Sequence, residues 1–194
     1  MASGDGGTRI RRLRFDTGAT WLDLVATVGD AYGETPVERL YDLARLREWL
    51  GAEGLLPRHD PGEDDLVRAH ALRESLRSLA LATVRGNAWP AGDVARVNEF
   101  LRADEPVELQ AEPAGPRVRP PATVRESLGR VARQAAEHLT GPEAAMLGTC
   151  PDHDCGMLFL DPTGRRVWCA AEICGVRHRV REHRRRRAEG RDDS

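Results

Sequence analysis

Apolar residues recur along most of the chain at helical spacing, in stretches separated by turn-forming residues. Trp21 to Val28 (WLDLVATV) is apolar enough to be buried and predicts a short helix. Gly29 to Pro36 is rich in turn formers. Asp42 is placed to cap a helix carrying Leu43, Leu46, Trp49 and Leu50 on one face, with Gly51 and Gly54 near its end. The longest helix opens at Asp64 or Asp65. Leu66, Ala69, Leu72, Leu76, Leu79 and Val84 follow at near-helical spacing until Gly86-Asn87 stops it. Asp93 to Leu101 predicts a shorter helix with Val94, Val97 and Leu101 inward. Thr123 starts another through Leu139, burying Val124, Leu128, Val131, Ala135 and Leu139. Gly141-Pro142 ends it, and Glu143 to Leu147 adds one more turn.

Strand signals are sparse. Ile10 to Phe15 alternates imperfectly between apolar residues and arginine, as a short exposed strand does. Asp104 to Pro121 is Pro-rich and loop-like, with Val107 to Gln110 and Arg117 to Arg119 able to pair as a hairpin. The pattern predicts a mainly α protein with small β-hairpins. Residues 1–8 read as a tail, 9–142 as a mainly helical domain, 143–188 as a small second domain and 189–194 as a tail.

Composition adds little beyond confirming a folding chain: 40% hydrophobic and 31% charged residues are ordinary for a globular protein. A formal net charge of −2 selects no partner. Every basic residue is arginine, so arginine richness reflects a compositional bias and only its placement informs. No charged n-region leads into an apolar stretch, and no run approaches the roughly 18 apolar residues of a membrane span. The expectation is a cytoplasmic protein with no membrane partner, in a compartment that keeps thiols reduced. His59 and His70 read as structural, and Asp64 and Asp65 as helix-capping charges. With no phosphate loop and no Ser/His/Asp arrangement, catalysis is not expected.

The chemistry lies at the carboxy end. All four cysteines fall in one window, Cys150-x4-Cys155-x13-Cys169-x4-Cys174, as two pairs of equal spacing. Two short loops that each turn two sulfurs toward one point suit tetrahedral zinc. Four thiolates also suit mononuclear iron or an iron–sulfur cluster. Hairpin-separated spacing favours one structural Zn2+ ion, since four protein ligands leave no open position. Leu158-Phe159-Leu160 reads as a strand, Asp161 to Gly164 as a turn and Arg166-Val167-Trp168 as the returning strand. Cys169 to Cys174 then opens a helix through about Arg187, a treble-clef-like order of knuckle, hairpin and helix. Leu158, Phe159, Val167 and Trp168 are the small core this module would have, so metal binding would decide whether it folds.

These residues resemble the CGNR-type zinc finger, named for a Cys-Gly-Asn-Arg signature after a Trp-Cys. The matching elements are Cys150, Cys155-Gly156, Leu158 to Asp161, Arg166, Trp168-Cys169, Cys174-Gly175 and Arg177; Val176 stands at the Asn position. Upstream, Leu22-Asp23-Leu24-Val25-Ala26-Thr27 resembles the Leu-Asp-Phe-Val-Asn-Thr stretch of the ABATE domain, with Ala26 replacing Asn. The Leu46–Leu50 and Leu72–Leu76 segments are similar to its later helices. The resemblance implies a zinc-dependent transcription regulator.

After Cys174 the helix is dense in arginine. Arg177, Arg181 and Arg184 share a face, which is expected to meet the phosphates of duplex DNA; Arg179 and Arg165 are candidates for a base edge. Val176 and Val180, four apart, are the expected packing seam. The helical domain would then sense a small-molecule effector or form a homodimer. The alternative is a non-enzymatic protein- or small-ligand-binding adaptor whose zinc is purely structural.

Overall fold

The computed structural model describes residues 12–113 and 115–192, with backbone alone beyond residue 188. The amino-terminal tail and Ile10-Arg11 lie outside the described residues.

Helix α1 (Thr20–Val25) is buried from Trp21 through Val25 and lies against two long helices, α3 (Glu63–Val84) and α5 (Val124–Thr140). Helix α4 (Ala91–Leu101) packs on both of these, and α2 (Leu43–Ala52) closes one side of α3. Their apolar faces form one core, in which Trp21, Trp49, Leu72, Leu76 and Leu128 are wholly buried. Each such side chain contributes about 1.5–3 kcal/mol of burial free energy. The capping residues act as their spacing predicts. Asp42 accepts from the Arg45 amide at 2.8 Å and Thr123 from the Glu126 amide at 3.3 Å. The long helix starts slightly earlier than expected, at Glu63, with Asp65 reaching back to the Gly62 amide at 3.0 Å.

Three antiparallel strand pairs complete the fold: β1 (Val28–Gly29) with β2 (Val37–Glu38), β3 (Leu109–Glu112) with β4 (Gly115–Val118), and β5 (Leu147–Thr149) with β6 (Leu158–Leu160). The chain is therefore mainly α with small β-hairpins. The 109–118 ribbon is the expected one, displaced by about two residues.

Other expectations are corrected. Residues 12–15 form no strand; Arg14 is instead drawn to the Cys169 carbonyl at 3.1 Å. Helix α1 stops at Val25, and Val28 belongs to a strand. Val84 ends its helix partly exposed. The expected turn at Glu143 to Leu147 is a 3-10 helix over Pro142–Met146, which frees Leu147 to begin β5.

The largest difference concerns the finger hairpin. Leu158–Leu160 pairs with Leu147–Thr149, ahead of the knuckle, and Arg166-Val167-Trp168 is an irregular strap. Two local forces set this strap. The Asp161 carboxylate accepts from the Thr163 amide at 3.0 Å and the Arg166 amide at 2.6 Å, closing a tight turn. The Arg166 guanidinium then donates to the carbonyls of Trp168 at 3.2 Å and Asp16 at 2.9 Å, tying the strap to the segment before α1. Val167, expected in the core, is 61% exposed.

Strand β6 is buried on both faces. Leu158 and Leu160 enter the helical core while Phe159, one residue out of phase, joins the cysteine cluster. The finger thus shares its core with the helices and does not rest on metal alone.

Candidate metal centre

Residues 150–157 form the knuckle at the tip of the β5–β6 hairpin. The Cys150 amide donates to the Met157 carbonyl at 2.8 Å, and the Cys155 amide to the Asp152 carbonyl at 3.0 Å. Gly156 follows at φ +60°, the left-handed conformation glycine adopts without steric cost. The second pair of cysteines frames a single π-turn, Ala171–Gly175. There the amides of Ile173, Cys174 and Gly175 converge on the Ala170 carbonyl at 3.2, 2.9 and 3.4 Å. This wider turn returns the Cys174 sulfur toward Cys169 before α6 (Val176–Asp192) begins.

All four sulfurs lie within 4.8 Å of one another and every cysteine is buried. Cys155–Cys169 and Cys169–Cys174 are each separated by 3.5 Å. A tetrahedral Zn–S bond of about 2.3 Å implies sulfur–sulfur edges of about 3.8 Å, so the cluster has the size of a zinc site. The four thiols cannot all ionise by themselves. Hydrogen bonding from Cys155 holds the Cys150 thiol low, whereas bonding to Cys150 pushes Cys155 and Cys174 up. Four thiolates this close require a cation between them. Cys150, Cys155, Cys169 and Cys174 fit one structural zinc ion, which would clamp the knuckle to the π-turn.

The surroundings hold the site against the helical half. The Ala31 and Tyr32 amides donate to the Cys155 and Asp154 carbonyls at 3.2 and 3.1 Å. From the buried face of α3, Arg77 donates to the Gly156 carbonyl at 3.2 Å and the Val25 carbonyl at 2.8 Å. Arg14 and Arg166 both donate to the Cys169 carbonyl, and Arg166 lies 4.5 Å over the Phe159 ring. Ala26, at the position where the resemblance has Asn, is wholly buried in the cysteine cluster. A Cβ at Gly175 would come 3.3 Å from Trp168, whose ring meets His178 at 5.0 Å.

Helix α6 carries its arginines in two groups. Arg177 pairs with Asp30 at 2.8 Å and approaches Asp152 at 3.6 Å; Asp30 raises its pKa. Arg181 pairs with Asp152 at 3.1 Å and with Asp154. The face expected to meet phosphates is therefore partly engaged within the protein. Val176 and Val180, the expected packing seam, are 41% and 43% exposed. The helix is fastened by charge because the segment offers too few apolar residues to bury. Arg179, Arg184 and Arg165 are exposed, and every position from His183 to Ala188 is exposed as well. Nearly two turns therefore stand clear of the body.

Sequence reading missed Asp30, Asp152 and Asp154 as partners of this helix. Arg177 and Arg181, four apart, do announce a face; Asp30, 147 residues from Arg177, leaves no local signal.

A profile of the family described as ABATE, "Putative stress-induced transcription regulator", matches residues 18–142, and one described as the CGNR zinc finger matches residues 146–187. No curated protein matches the chain. Among the described residues, no helix is long and apolar enough to cross a membrane.

Proposed function

The chain belongs to the ABATE family and carries a CGNR zinc finger, and from that premise we propose that it is a cytoplasmic, non-catalytic transcription regulator that binds duplex DNA through α6. The helical half is assigned sensing or dimerisation, and zinc a purely structural role.

One observation carries the reading. The first two turns of α6 are tied down by Asp30, Asp152 and Asp154, while the following stretch is exposed all round and contains Arg184, Arg185, Arg186 and Arg187 in succession. A rigidly mounted cationic helix suits the major groove, which is about 12 Å wide and admits an α-helix. Successive residues on a helix lie about 100° apart, so these arginines reach both groove walls. Arg177 and Arg181 orient the helix; Arg184, Arg186 and Arg187 neutralise phosphates, with Arg179 and Arg165 available to base edges. The low aromatic content, 5%, gives little platform for stacking unpaired bases, which favours duplex over single strands.

The test is fluorescence anisotropy of the zinc-loaded chain with pooled duplex DNA at two salt concentrations. Three phosphate contacts predict about a 40-fold loss of affinity for a fourfold rise in salt. Combining Arg184→Ala, Arg186→Ala and Arg187→Ala should flatten the log–log slope by about 0.9 for each contact removed. Absent or salt-independent binding with zinc loaded would reject the proposal.

A further inference from the structure

The β3–β4 ribbon has two unlike faces. Leu109 pairs with Val118 and Ala111 with Pro116, so these four side chains share one face, which Val107 extends. All five are exposed, Leu109 to 77%, the highest value of any large apolar residue described. The opposite face is polar and balances its own charge, with Arg119 on Glu108 and Arg117 on Glu112, each at 3.0 Å. From α5, Arg130 donates to the Arg119 carbonyl at 3.2 Å and mounts the base of the ribbon. Two strands alone are marginal in water; further strands or a covering element make such a sheet stable.

Its two edges also differ. The Arg119 amide donates to the Glu108 carbonyl at 2.8 Å, which makes these two a hydrogen-bonded pair. Alternation along an antiparallel ladder then turns the N–H and C=O groups of Val107, Leu109 and Ala111 outward. Among the described residues, no backbone partner meets those amides. On β4 the outward positions are Pro116 and Val118, and Pro116 has no N–H to offer. One edge is open and the other is blocked.

An open edge accepts an extended strand, and β3 is complementary to itself in one register. Antiparallel two-fold pairing centred on Gln110 would set Glu108 against Glu112 of the other copy, and centring on Glu108 would set that residue against itself. Centring on Ala111 would give Leu109 the missing N–H of Pro113. Centring on Leu109 avoids all three faults. Val107 then bonds Ala111, Leu109 meets Leu109, and Glu108 faces the side-chain amide of Gln110. The neutral polar face selects no strongly charged partner instead.

We propose that β3 pairs with β3 of a second copy about Leu109, forming a four-stranded antiparallel sheet and a two-fold dimer. Pro116 on both outer edges stops growth at two chains, where open outer edges would template further addition. The contact is small, in the class of transient interfaces, so it forms in the micromolar range and above. It locates the dimerisation assigned above to the helical half and needs no contact with DNA.

The test is sedimentation velocity of the zinc-loaded full chain from about 1 to 300 µM, the range that suits so small a contact. Wild type should pass from monomer to dimer. Leu109→Glu sets two carboxylates opposite each other and should weaken the dimer about tenfold or more, with the monomer's Tm unchanged because the site is exposed. Ala111→Pro removes an outward N–H without touching the β3–β4 ladder and should act alike. Leu109→Arg should also be monomeric, yet an equal mixture of Leu109→Glu and Leu109→Arg should dimerise again. That rescue requires position 109 to face itself, and a folding defect cannot produce it. The proposal is overturned by a wild type monomeric throughout, by Leu109→Glu dimerising as tightly as wild type, or by a mixture that stays monomeric. DNA is absent from the readout, so this proposal and the DNA-binding one stand or fall separately.

Discussion

Asp23 is a buried acid with a defined task. Its Oδ1 accepts from the Thr17 amide at 3.1 Å and the Thr17 hydroxyl at 2.8 Å, tying the strap before α1 to the helix's first turn. Burial nevertheless pushes its pKa up to about 7, with Glu53 and Asp16 adding to the rise against the two Thr17 bonds. A folded value above the unfolded one means the fold favours the protonated form. That stability is fully present below the ordinary aspartate range and is lost as pH rises toward 7. Asp23→Asn keeps an oxygen acceptor for Thr17 and removes the ionisation. In urea titrations, wild-type stability relative to this variant should fall by about 1 kcal/mol per pH unit between about pH 5 and 7. A flat difference would show that Asp23 titrates normally. At this scale the sequence was legible where partners are local: Asp42 and Thr123 cap at i,i+3, which spacing alone reveals. Asp23 showed only as a letter in a resemblance, because nothing adjacent says that its surroundings are dry. Val176 is readily placed: the side chain at the signature's Asn position is 41% exposed.

Among elements, β6 decides how the finger relates to the helices. A three-residue apolar run carries no register, so its partner was misassigned, and Leu147, where β5 begins, read as the end of a helical turn. The true pairing has its own reason: a Cβ at Gly148 would come 2.8 Å from the Phe159 ring, so only glycine lets that ring cross the strand. The alternation along β6 then sends Leu158 and Leu160 into the helical core. Leu158→Ala should accordingly cost about 2–5 kcal/mol of global stability, the usual range for emptying a fully buried leucine site. Val167→Ala, on the exposed strap, should stay within about 0.5 kcal/mol. Both are read from denaturant midpoints at constant m. Equal effects at the two positions would restore the hairpin expected from sequence. The long helices, by contrast, were legible because each supplies four or more turns of apolar period.

For the whole molecule, the consequence is cooperativity between metal and core. The cysteine spacing announces a zinc site, but the joint around it is made by partners far apart in sequence: Arg77 with Gly156 across 79 residues, Arg177 with Asp30 across 147, Arg14 with Cys169 across 155. Such contacts leave no periodic trace, and α3 hid its part by burying Arg73 and Arg77 on a face that composition alone would assign to solvent. A finger with its own small core would melt alone on chelation and leave the helices folded. Here β6 would release Leu158 and Leu160 from the shared core, and the Ala31 and Tyr32 amides would lose their carbonyl partners in the knuckle. Each such hydrogen bond contributes about 0.5–1.5 kcal/mol net. Zinc binding therefore stabilises residues well outside the finger, including Trp21 and Trp49 in the helical core. Titrating a chelator into the protein at fixed mild urea should lower far-ultraviolet helicity and tryptophan fluorescence with a single shared midpoint. Restoring excess zinc should recover both signals together. Loss of zinc with the tryptophan signal and helicity retained would mean that the two halves fold independently, and the shared strand would then contribute packing without coupling.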